Sequence, residues 1–509
     1  MKKGISLFFL GLLFAALACG NLEEIEEEPV VVDDQVQMDT LGNEDENVAG
    51  SEPVTEVAGG MDGIFAPTDC PFDTAADVEC GYLTVPENRS RVDSPTIQLA
   101  VAILYAAEAE VEAPIVFLEG GPGGSSLAEF SAEEWDFPFT RNRDLIFIDQ
   151  RGTGFSLPSL DCPELSDESY DLAVENPERD CQERLIAEGV DLTAYNTTEN
   201  AADIAALRRA LDIEEWNLLG ISYGTRLALE VMRLYPDGIR SVILDSPFPP
   251  NADTAVDELL LTYALMEALF ASCAEDAYCG QEYPDLENVF LDTVVALNER
   301  PVDNLSGDNF FQAVSNAMQD TALVPLIPYV IYEVYEGNYD ALNEIVTGTF
   351  SRRTQFQDGG DRTDSEGMYN SVMCHDEYAF GDYERTEEAV TGRLPAEIEG
   401  GLLQSSAEIF QMCDFWGAGV ADGVQNTAVS SDIPTLILVG EFDTATPPQW
   451  AALTAQSLSN SFVFEFPGAG HSLLTTTDCS VDIITAFLAD PGTEPDRTCI
   501  NNVEWPYFE

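Results

Sequence analysis

The chain has 509 residues, of which 93 are acidic and 21 are Lys or Arg, giving a formal net charge of −72 at neutral pH. Nucleic acids and anionic lipid surfaces would repel such a chain, so we do not expect either as a partner. Both lysines, Lys2 and Lys3, lie in the first residues, so the chain left after removal of a leader peptide would contain no lysine.

Residues 1–19 read "MKKGISLFFLGLLFAALAC", a basic start followed by an apolar stretch too short to span a bilayer comfortably. This pattern predicts a secretory signal peptide. Cleavage after Ala18 would release a secreted chain, whereas "ALAC" resembles a bacterial lipobox that would leave Cys19 lipidated. Membrane contact is expected only through such a lipid.

Residues 20–64 are acidic and nearly free of aromatic side chains, so they cannot bury enough apolar surface to fold alone. We predict an acidic, disordered tether between a lipid and a folded domain. The alternative is a disordered tail that remains after secretion.

Apolar runs separated by helical patterns predict an α/β fold with about eight mostly parallel strands in a doubly wound sheet. The predicted core covers 65–245 and 432–509, and the alternation stops in 246–431, which we interpret as a helical lid inserted after the sixth strand. A separate domain with its own ligand is the alternative. The predicted strands contain "CGYLTVPE", "TIQLAVAILYA", "APIVFLEG", "RDLIFIDQ", "EEWNLLGIS", "SVILDSP", "PTLILVGE" and "FVFEFPG".

The glycine-rich stretch "EGGPGG" follows the third predicted strand. Backbone N–H groups in such a loop can stabilise the oxyanion formed when a carbonyl is attacked. Pro122 has no N–H, so Gly121 and Tyr223 are the predicted donor pair. Phosphate binding is the competing interpretation, but no lysine follows the glycines and the spacing fits neither nucleotide motif.

The stretch "GISYGT" lies between an apolar run and a helical pattern. A strand, a tight turn and a helix in this order would hold Ser222 Oγ at the head of the helix, as a nucleophile requires. An ordinary strand-to-helix turn with an incidental serine is the alternative, because this short motif occurs by chance in many chains.

The serine needs a histidine base and a carboxylate that orients the base. Of the two histidines, His471 follows a predicted strand on a glycine-rich loop, whereas His375 in "MCHDEY" is interpreted as a surface or structural residue. Asp443 follows the preceding strand and is the predicted acid, with Asp245 at the end of "SVILD" as its rival. The order serine, aspartate, histidine is that of α/β-hydrolases.

Eleven cysteines become ten once Cys19 is removed, and an even number in an exported chain predicts disulfides. A metal site lacks support from any CxxC pair or histidine cluster, so no metal is expected. Connectivity does not follow from sequence, and proximity alone suggests the pairs Cys70 with Cys80, Cys162 with Cys181, Cys273 with Cys279, Cys374 with Cys413, and Cys479 with Cys499.

The motifs "GGPGG", "DQRGTGFS", "GISYGT", "GEFDTATPP" and "GAGHS", in this order, resemble the α/β-hydrolase peptidases of the proline iminopeptidase and tripeptidyl aminopeptidase type. The resemblance spans about residues 70 to 500. It implies an α/β-hydrolase fold, a triad of Ser222, Asp443 and His471, and an oxyanion hole made by Gly121 and Tyr223. It also implies that Asp149 and Arg151 brace the loop beside the active site.

One position departs from the family pattern. Proline iminopeptidases carry His-Gly-Gly-Pro-Gly, and Glu119 occupies the histidine position here. This difference argues against close kinship to the enzymes that release a single proline.

A free peptide N-terminus carries a positive charge, for which a carboxylate is the natural partner in a lidded pocket. Cys374-x-Asp376 resembles a Cys-x-Asp element of the tripeptidyl group, so Asp376 and Glu377 are the predicted substrate-binding residues. A solvated acidic surface is the alternative.

These inferences predict an exported serine hydrolase that needs no cofactor and cleaves residues or short peptides from peptide N-termini through an acyl-enzyme. An esterase or amidase acting on small molecules is the main alternative, since the same triad attacks both kinds of bond. An inactive hydrolase-fold lipoprotein that only binds ligands is the third possibility.

Overall fold

The computed structural model describes residues 63–72, 78–108, 111–128, 135–166, 176–302, 305–343, 345, 363–474, 476–502 and 508. The predicted signal peptide, Cys19 and nearly all of the predicted tether lie outside these residues. Among the described residues, no helix has the length and apolar character needed to cross a bilayer.

A nine-stranded sheet forms the centre of the molecule, in the order β1-β2-β3-β5-β4-β6-β7-β8-β9. The first three strands are antiparallel and β3 pairs antiparallel with β5, whereas β5, β4 and β6 to β9 form a parallel block. The strands are β1 (Ile64–Thr68), β2 (Val78–Pro86), β3 (Thr96–Leu104), β4 (Glu112–Leu118), β5 (Arg143–Ile148), β6 (Trp216–Ile221), β7 (Ile239–Asp245), β8 (Thr435–Gly440) and β9 (Ser461–Phe466).

The predicted α/β architecture with a mostly parallel sheet is confirmed, and the strand that the sequence pattern missed is β1. Four of its five residues are exposed, so it lacks the alternation of apolar and polar residues by which a half-buried strand is recognised. Its start, Ile64, had been assigned to the tether. The lid helices therefore follow the seventh strand of the sheet, β7, which is the sixth predicted strand.

Helices cover both faces of the sheet. Leu207 and Leu227 belong to the apolar core of one face, and Phe487 belongs to the core of the other. The connecting helices outside 246–431 are α1 (Pro177–Glu188), α2 (Thr197–Ala210), α3 (Tyr223–Leu234), α12 (Pro448–Ala455) and α13 (Asp478–Ala489).

Within 246–431 the described elements are helical and pack around an apolar core of their own, which includes Phe290 and Phe310. We call these elements the lid helices, although the exact domain boundaries stay a prediction. They are α4 (Thr254–Glu275), α5 (Cys279–Glu282), α6 (Leu286–Glu299), α7 (Gly307–Gln319), α8 (Ile327–Tyr335), α9 (Glu366–Val372), α10 (Tyr383–Val390) and α11 (Ala396–Trp416), and α9 continues into a π-helical turn at Met373–Glu377.

Five disulfides link cysteines that are close neighbours in the sequence, and all five pairings suggested by proximity are confirmed. They join Cys70 to Cys80, Cys162 to Cys181, Cys273 to Cys279, Cys374 to Cys413, and Cys479 to Cys499. Disulfides of this number are typical of proteins that fold in an oxidising compartment.

The carboxyl ends of the parallel strands meet at one edge of the sheet, where ligand sites of such sheets lie. The segments that leave β4, β6, β8 and β9 carry the glycine-rich loop, Ser222, Asp443 and His471, respectively. The topology thus gathers segments that are more than 300 residues apart in the chain at one edge.

Candidate active site

Ser222 lies at a sharp turn between β6 and α3, with φ 54° and ψ −124°. A non-glycine residue adopts this positive φ only when its surroundings enforce it. The neighbouring glycines explain the turn, because a Cβ on Gly220 would collide with the Gly224 carbonyl and a Cβ on Gly224 with the Leu118 carbonyl. The predicted strand, turn and helix are therefore present, with Ser222 at the N-cap of α3.

His471 Nδ1 lies 2.9 Å from both carboxylate oxygens of Asp443. The Asp443 side chain is fully buried, and its oxygens also accept hydrogen bonds from the backbone of Ala445 and Thr446 and from the Thr446 hydroxyl. A carboxylate held in this way fixes the ring orientation and tautomer of the imidazole and stabilises its protonated form. The His471 side chain is 17% exposed, so a substrate can reach it.

The loop that carries His471 is tied to both the lid and the sheet. The His471 N–H donates to the Gln319 carbonyl at the end of α7 over 2.8 Å, and the Gly470 N–H donates to Thr321 Oγ1 over 3.0 Å. A movement of the lid helix α7 would therefore move the backbone of the predicted base.

Asp245, the rival acid, holds the other side of the same loop. Its carboxylate accepts from the N–H groups of Leu473 and Leu474 over 2.7–2.9 Å, and burial raises its pKa to about 6 against these hydrogen bonds. The next residue, Ser246, accepts from the Ser472 N–H. Asp245 thus anchors the backbone of the histidine loop, while Asp443 contacts the imidazole.

The glycine-rich loop passes directly beside the serine, since a Cβ on Gly120 would lie 3.0 Å from Ser222 Cβ. Gly121 has φ 108°, a conformation that favours glycine. Tyr223 is the first residue of α3, so its N–H has no acceptor within its own helix and is available to an oxyanion. The assignment of Gly121 and Tyr223 as oxyanion donors stays a prediction that this placement supports.

Glu119, the residue at the histidine position of the family pattern, folds back on this loop. Its Oε1 accepts from the Gly120 N–H over 2.9 Å.

A segment that sequence reasoning missed lies against the glycine-rich loop. The Ser125 N–H donates to the Thr363 carbonyl over 2.9 Å, and the Ser365 N–H donates to the Gly123 carbonyl over 3.0 Å. The two chains form an isolated antiparallel bridge between Gly124 and Asp364. The lid segment thus contacts the sheet domain at the predicted oxyanion loop. No local sequence motif indicates this contact.

The motif "DQRGTGFS" braces the site through buried charges, as predicted for Asp149 and Arg151. Asp149 accepts from Ser125 Oγ and from the backbone of Leu127 and Phe155, although burial raises its pKa to about 6. Arg151 is fully buried and forms two hydrogen bonds with Asp203. The Asp149 contacts join the loops that follow β4 and β5, and Arg151 ties the loop after β5 to α2.

Asp376, one of the two predicted substrate-binding residues, is 1% exposed. Oδ2 accepts from the N–H and the hydroxyl of Thr197 over 2.9 and 2.6 Å, and Oδ1 lies 2.6 Å from His375 Nδ1. Burial raises the pKa of Asp376, but the hydrogen bonds from His375 and Thr197 together with the charges of His375 and Arg226 hold it below its usual value. Both carboxylate oxygens are therefore already occupied by the protein. His375, which lies on the same π-helical turn, is a hydrogen-bond partner of Asp376.

Glu377, the second predicted residue, pairs with Arg226 on α3 and accepts from the Thr254 hydroxyl on α4. Burial raises the pKa of Glu377 to about 7, against the charge of Arg226. Arg226 is one turn from Ser222 on the same helix, so Glu377 lies beside the helix that presents the nucleophile.

Glu258, one turn after Thr254 on α4, is a further carboxylate of this cluster that sequence reasoning missed. Desolvation and the neighbouring charge of Glu377 raise its pKa to about 8, while the residue keeps part of its surface exposed. We call Glu258, Glu377 and Arg226 the lid charge cluster. In a chain with 93 acidic residues no sequence signal distinguishes Glu258, because its burial depends on tertiary packing.

Two aromatic side chains lie beside the lid charge cluster. The Phe248 ring packs 5.2 Å from the Arg226 guanidinium and stacks on Trp450 with ring centroids 5.1 Å apart. The Phe248 N–H donates to Thr225 Oγ1, which in turn donates to the Ser222 carbonyl. An apolar wall and a charged group therefore lie within a few contacts of the nucleophile.

Comparison with known proteins identifies the family of this chain. Residues 113–476 match the family model described as alpha/beta hydrolase fold. The chain is 25% identical over 457 residues to the serine protease Hip1 of Mycobacterium tuberculosis, covering 82% of this chain and 86% of that protein. It is 25% identical over 470 residues to a tripeptidyl aminopeptidase of Streptomyces coelicolor, covering 84% of this chain and 85% of that protein.

Among solved structures, the chain is similar to a proline iminopeptidase of Mycobacterium smegmatis, with 16% identity and a TM-score of 0.39. The match covers 81% of this chain and 98% of that protein.

Proposed function

Because this chain belongs to the alpha/beta hydrolase fold family and is a serine hydrolase with peptidases among its relatives, we propose that it releases residues or short peptides from peptide N-termini outside the cytoplasm. The observation that carries this proposal is the contact of His471 Nδ1 with the buried Asp443 carboxylate at the sheet edge where Ser222 heads α3.

In the proposed reaction His471 takes the proton of Ser222 Oγ as the serine attacks the scissile carbonyl. Asp443 stabilises the imidazolium that results, and the N–H groups of Gly121 and Tyr223 bind the oxyanion. His471 then gives its proton to the leaving amine, and an acyl-enzyme remains on Ser222. Water, deprotonated by His471, attacks the acyl carbon of this acyl-enzyme. The ester bond to Ser222 Oγ then breaks as His471 returns the proton to Oγ, which releases the N-terminal product and restores the free serine.

The proposed preference for N-termini rests on the lid charge cluster. Glu377 pairs with the Arg226 guanidinium, and Glu258 lies close enough to Glu377 for that charge to raise the Glu258 pKa. The cluster thus holds one more carboxylate than guanidinium and can accept one further positive charge. A peptide α-ammonium would supply it, and the Phe248 ring, which stacks on the buried Trp450, would contact apolar substrate side chains. Asp376 is 1% exposed and both its oxygens bind His375 and Thr197, so we assign ammonium binding to the lid charge cluster. Glu258 is its most accessible carboxylate, because it keeps part of its surface exposed, and Glu377 lies beside it.

A substrate panel tests this proposal. Purified protein is assayed with aminoacyl and tripeptidyl p-nitroanilides, with their N-acetylated forms, and with p-nitrophenyl esters. We expect the free-amine anilides to be cleaved with at least tenfold higher kcat/KM than the acetylated ones, because only the former carry the charge that the cluster binds.

Three other results of this panel would point elsewhere. Equal cleavage of free and acetylated peptides would exclude recognition of the N-terminus. Cleavage of esters alone would favour the esterase alternative, and no turnover of any substrate would favour a ligand-binding lipoprotein on an inactive scaffold.

Export and anchoring form a second part of the proposal. The five disulfides and the similarity to Hip1 support a location outside the cytoplasm. If Cys19 is lipidated, Cys19→Ser should move the protein from the membrane fraction to the soluble exported fraction. An unchanged distribution would favour simple secretion.

A further inference from the structure

A chain of buried polar side chains runs behind the two backbone segments that form the proposed oxyanion hole. Gln150, Asn200 and Tyr223 are each at most 2% exposed. They come from the loop after β5, from α2 and from the start of α3, so three elements meet at this chain. Buried polar groups of this kind are costly unless each finds a partner.

Gln150 and Asn200 form the first half of the chain. Gln150 Nε2 donates to the Glu119 carbonyl over 2.8 Å, and Gln150 Oε1 accepts from Asn200 Nδ2 over 3.3 Å. The Glu119 carbonyl belongs to the peptide that leads into Gly120 and Gly121. One end of the chain therefore holds the glycine-rich loop.

Tyr223 forms the second half. Asn200 Nδ2 donates its other proton to the Tyr223 hydroxyl over 3.3 Å, and that hydroxyl lies 2.9 Å from Thr197 Oγ1. Thr197 gives its own hydroxyl proton to the Asp376 carboxylate over 2.6 Å, so Tyr223 must be the donor to Thr197. All the proton positions are thereby fixed, and Asn200 is the branch point that links Tyr223 to the glycine-rich loop.

We propose that Gln150, Asn200 and the Tyr223 hydroxyl are positioning residues that set the separation of the Gly121 and Tyr223 N–H donors. The proposal rests on the acyl-transfer chemistry of the proposed function, and it does not depend on the preference for N-termini. An oxyanion hole works only when its donors lie about 2.7–3.1 Å from the developing charge, so a connection between the two donor segments bears directly on the rate. We call this connection the Gln150–Asn200–Tyr223 bridge.

The bridge is tested by Tyr223→Phe, which removes the hydroxyl while keeping the ring and the backbone N–H. Tyr195→Phe is the matched control, because the Tyr195 ring is equally buried and its hydroxyl makes a hydrogen bond to Glu87 outside the bridge. We expect Tyr223→Phe to lower kcat by about tenfold, less than the 10²–10³ that follows loss of a whole donor, with KM little changed. The control should keep kcat within about twofold, the size expected when no transition-state contact is altered.

Binding of a boronic acid provides a second readout, since its tetrahedral adduct with Ser222 places an oxygen in the oxyanion hole. The inhibition constant should rise in parallel with the loss in kcat. The assay uses whichever acyl substrate the unmodified protein cleaves, esters included, so a failure of the aminopeptidase proposal leaves this test intact.

Gln150→Met cuts the bridge at its other end, and the double variant then separates positioning from general destabilisation. If both changes act through one bridge, the double variant should be no slower than the slower single variant by more than about twofold, because coupled residues are not additive. Losses in kcat that multiply would overturn the proposal. An unchanged kcat and boronate affinity in Tyr223→Phe would overturn it as well, even if Gln150→Met fails to fold.

Discussion

The sheet edge and the lid use charged side chains in opposite ways. At the sheet edge Asp443 and Asp245 are held mainly by backbone N–H groups, those of Ala445 and Thr446 for Asp443 and those of Leu473 and Leu474 for Asp245. Each aspartate contacts one part of the histidine loop, which the order of the strands brings beside it. In the lid, Glu377 is held by Arg226 and Thr254, which are more than 100 residues away in the chain. The first arrangement depends on strand topology, and the second depends on how separate helices pack.

This difference decides how well the surroundings of each charged side chain can be predicted from the sequence. Residues that follow parallel strands are brought to one edge by the pairing of the strands, so the position of Asp443 after β8 already implies its neighbourhood. A glutamate on a lid helix has no such constraint. Whether it becomes a substrate ligand or stays solvated depends on which helix covers it.

The largest effect at the sheet edge is expected from Ser222→Ala. Removing the nucleophile should lower kcat by about 10⁴-fold or more, because the attack on the carbonyl is lost while the surrounding backbone stays in place. The measurement is kcat on the best substrate of the panel, with the thermal unfolding temperature as a check that the fold persists. Near-normal turnover by a folded variant would refute the assignment of the nucleophile.

The two sheet-edge aspartates should differ sharply when each is replaced by asparagine. Asp443→Asn should lower kcat by about 10³- to 10⁴-fold, because the imidazole loses the partner that fixes its tautomer. Asp245→Asn weakens backbone hydrogen bonds, so we expect a lower unfolding temperature from a loss of about 1–2 kcal/mol, with at most a tenfold loss in kcat. A reversal of this order would make Asp245 the catalytic acid.

The sheet and the tight turn that carries Ser222 could be predicted because both follow from local patterns. Apolar runs identified the parallel strands, and the glycines around Ser222 identified the turn, since only glycine fits at 220 and 224. The disulfides were predicted for a different reason, because cysteines close in sequence meet with little loss of chain entropy. The exposed strand β1 had no such signal.

Contacts made between distant side chains could not be predicted. Three such contacts join elements that the sequence does not place together. They are the hydrogen bonds of Asp376 with Thr197, the ion pair of Glu377 with Arg226, and the hydrogen bond between Asn200 and Gln150. A polar residue inside a helix pattern is ordinarily solvated, so neither Asn200 nor Glu258 attracts attention without the packing of the helices.

In the lid, Glu258→Gln tests whether the charge cluster binds the substrate N-terminus. Losing a charge-assisted hydrogen bond should cost about 1.5–3 kcal/mol, or roughly 10- to 100-fold in kcat/KM for free-amine substrates, with N-acetylated substrates and esters little affected. Glu267→Gln is the matched control, because Glu267 is an exposed residue of the same helix.

Glu377→Gln is a harsher test of the same idea, since it leaves Arg226 buried without its partner and should also destabilise the fold. Equal losses on all three substrate classes in both variants would mean that the cluster only supports the lid.

The smallest expected effect is a difference in pH dependence between free and acetylated peptides, and it bears directly on the contrast between sheet edge and lid. Burial and the charge of Asp376 raise the pKa of Glu377 to about 7, and burial and the charge of Glu377 raise the pKa of Glu258 to about 8. The cluster therefore gains negative charge as the pH rises through this range, in two coupled steps that belong to the pair.

A peptide α-amino group loses its proton near pH 7.7–8.0, so binding needs a pH high enough to ionise the cluster and low enough to keep the amine charged. Titration of His471 affects both substrates alike and cancels in the ratio of their kcat/KM values. That ratio should rise several-fold from about pH 5.5 to a maximum between about pH 7 and 8 and fall above it. In Glu258→Gln the rise should shrink and shift to lower pH, since the remaining carboxylate, Glu377, is the one with the lower pKa. If the ratio stays constant with pH, the pH dependence comes from the catalytic residues alone. The lid carboxylates would then have no part in substrate binding.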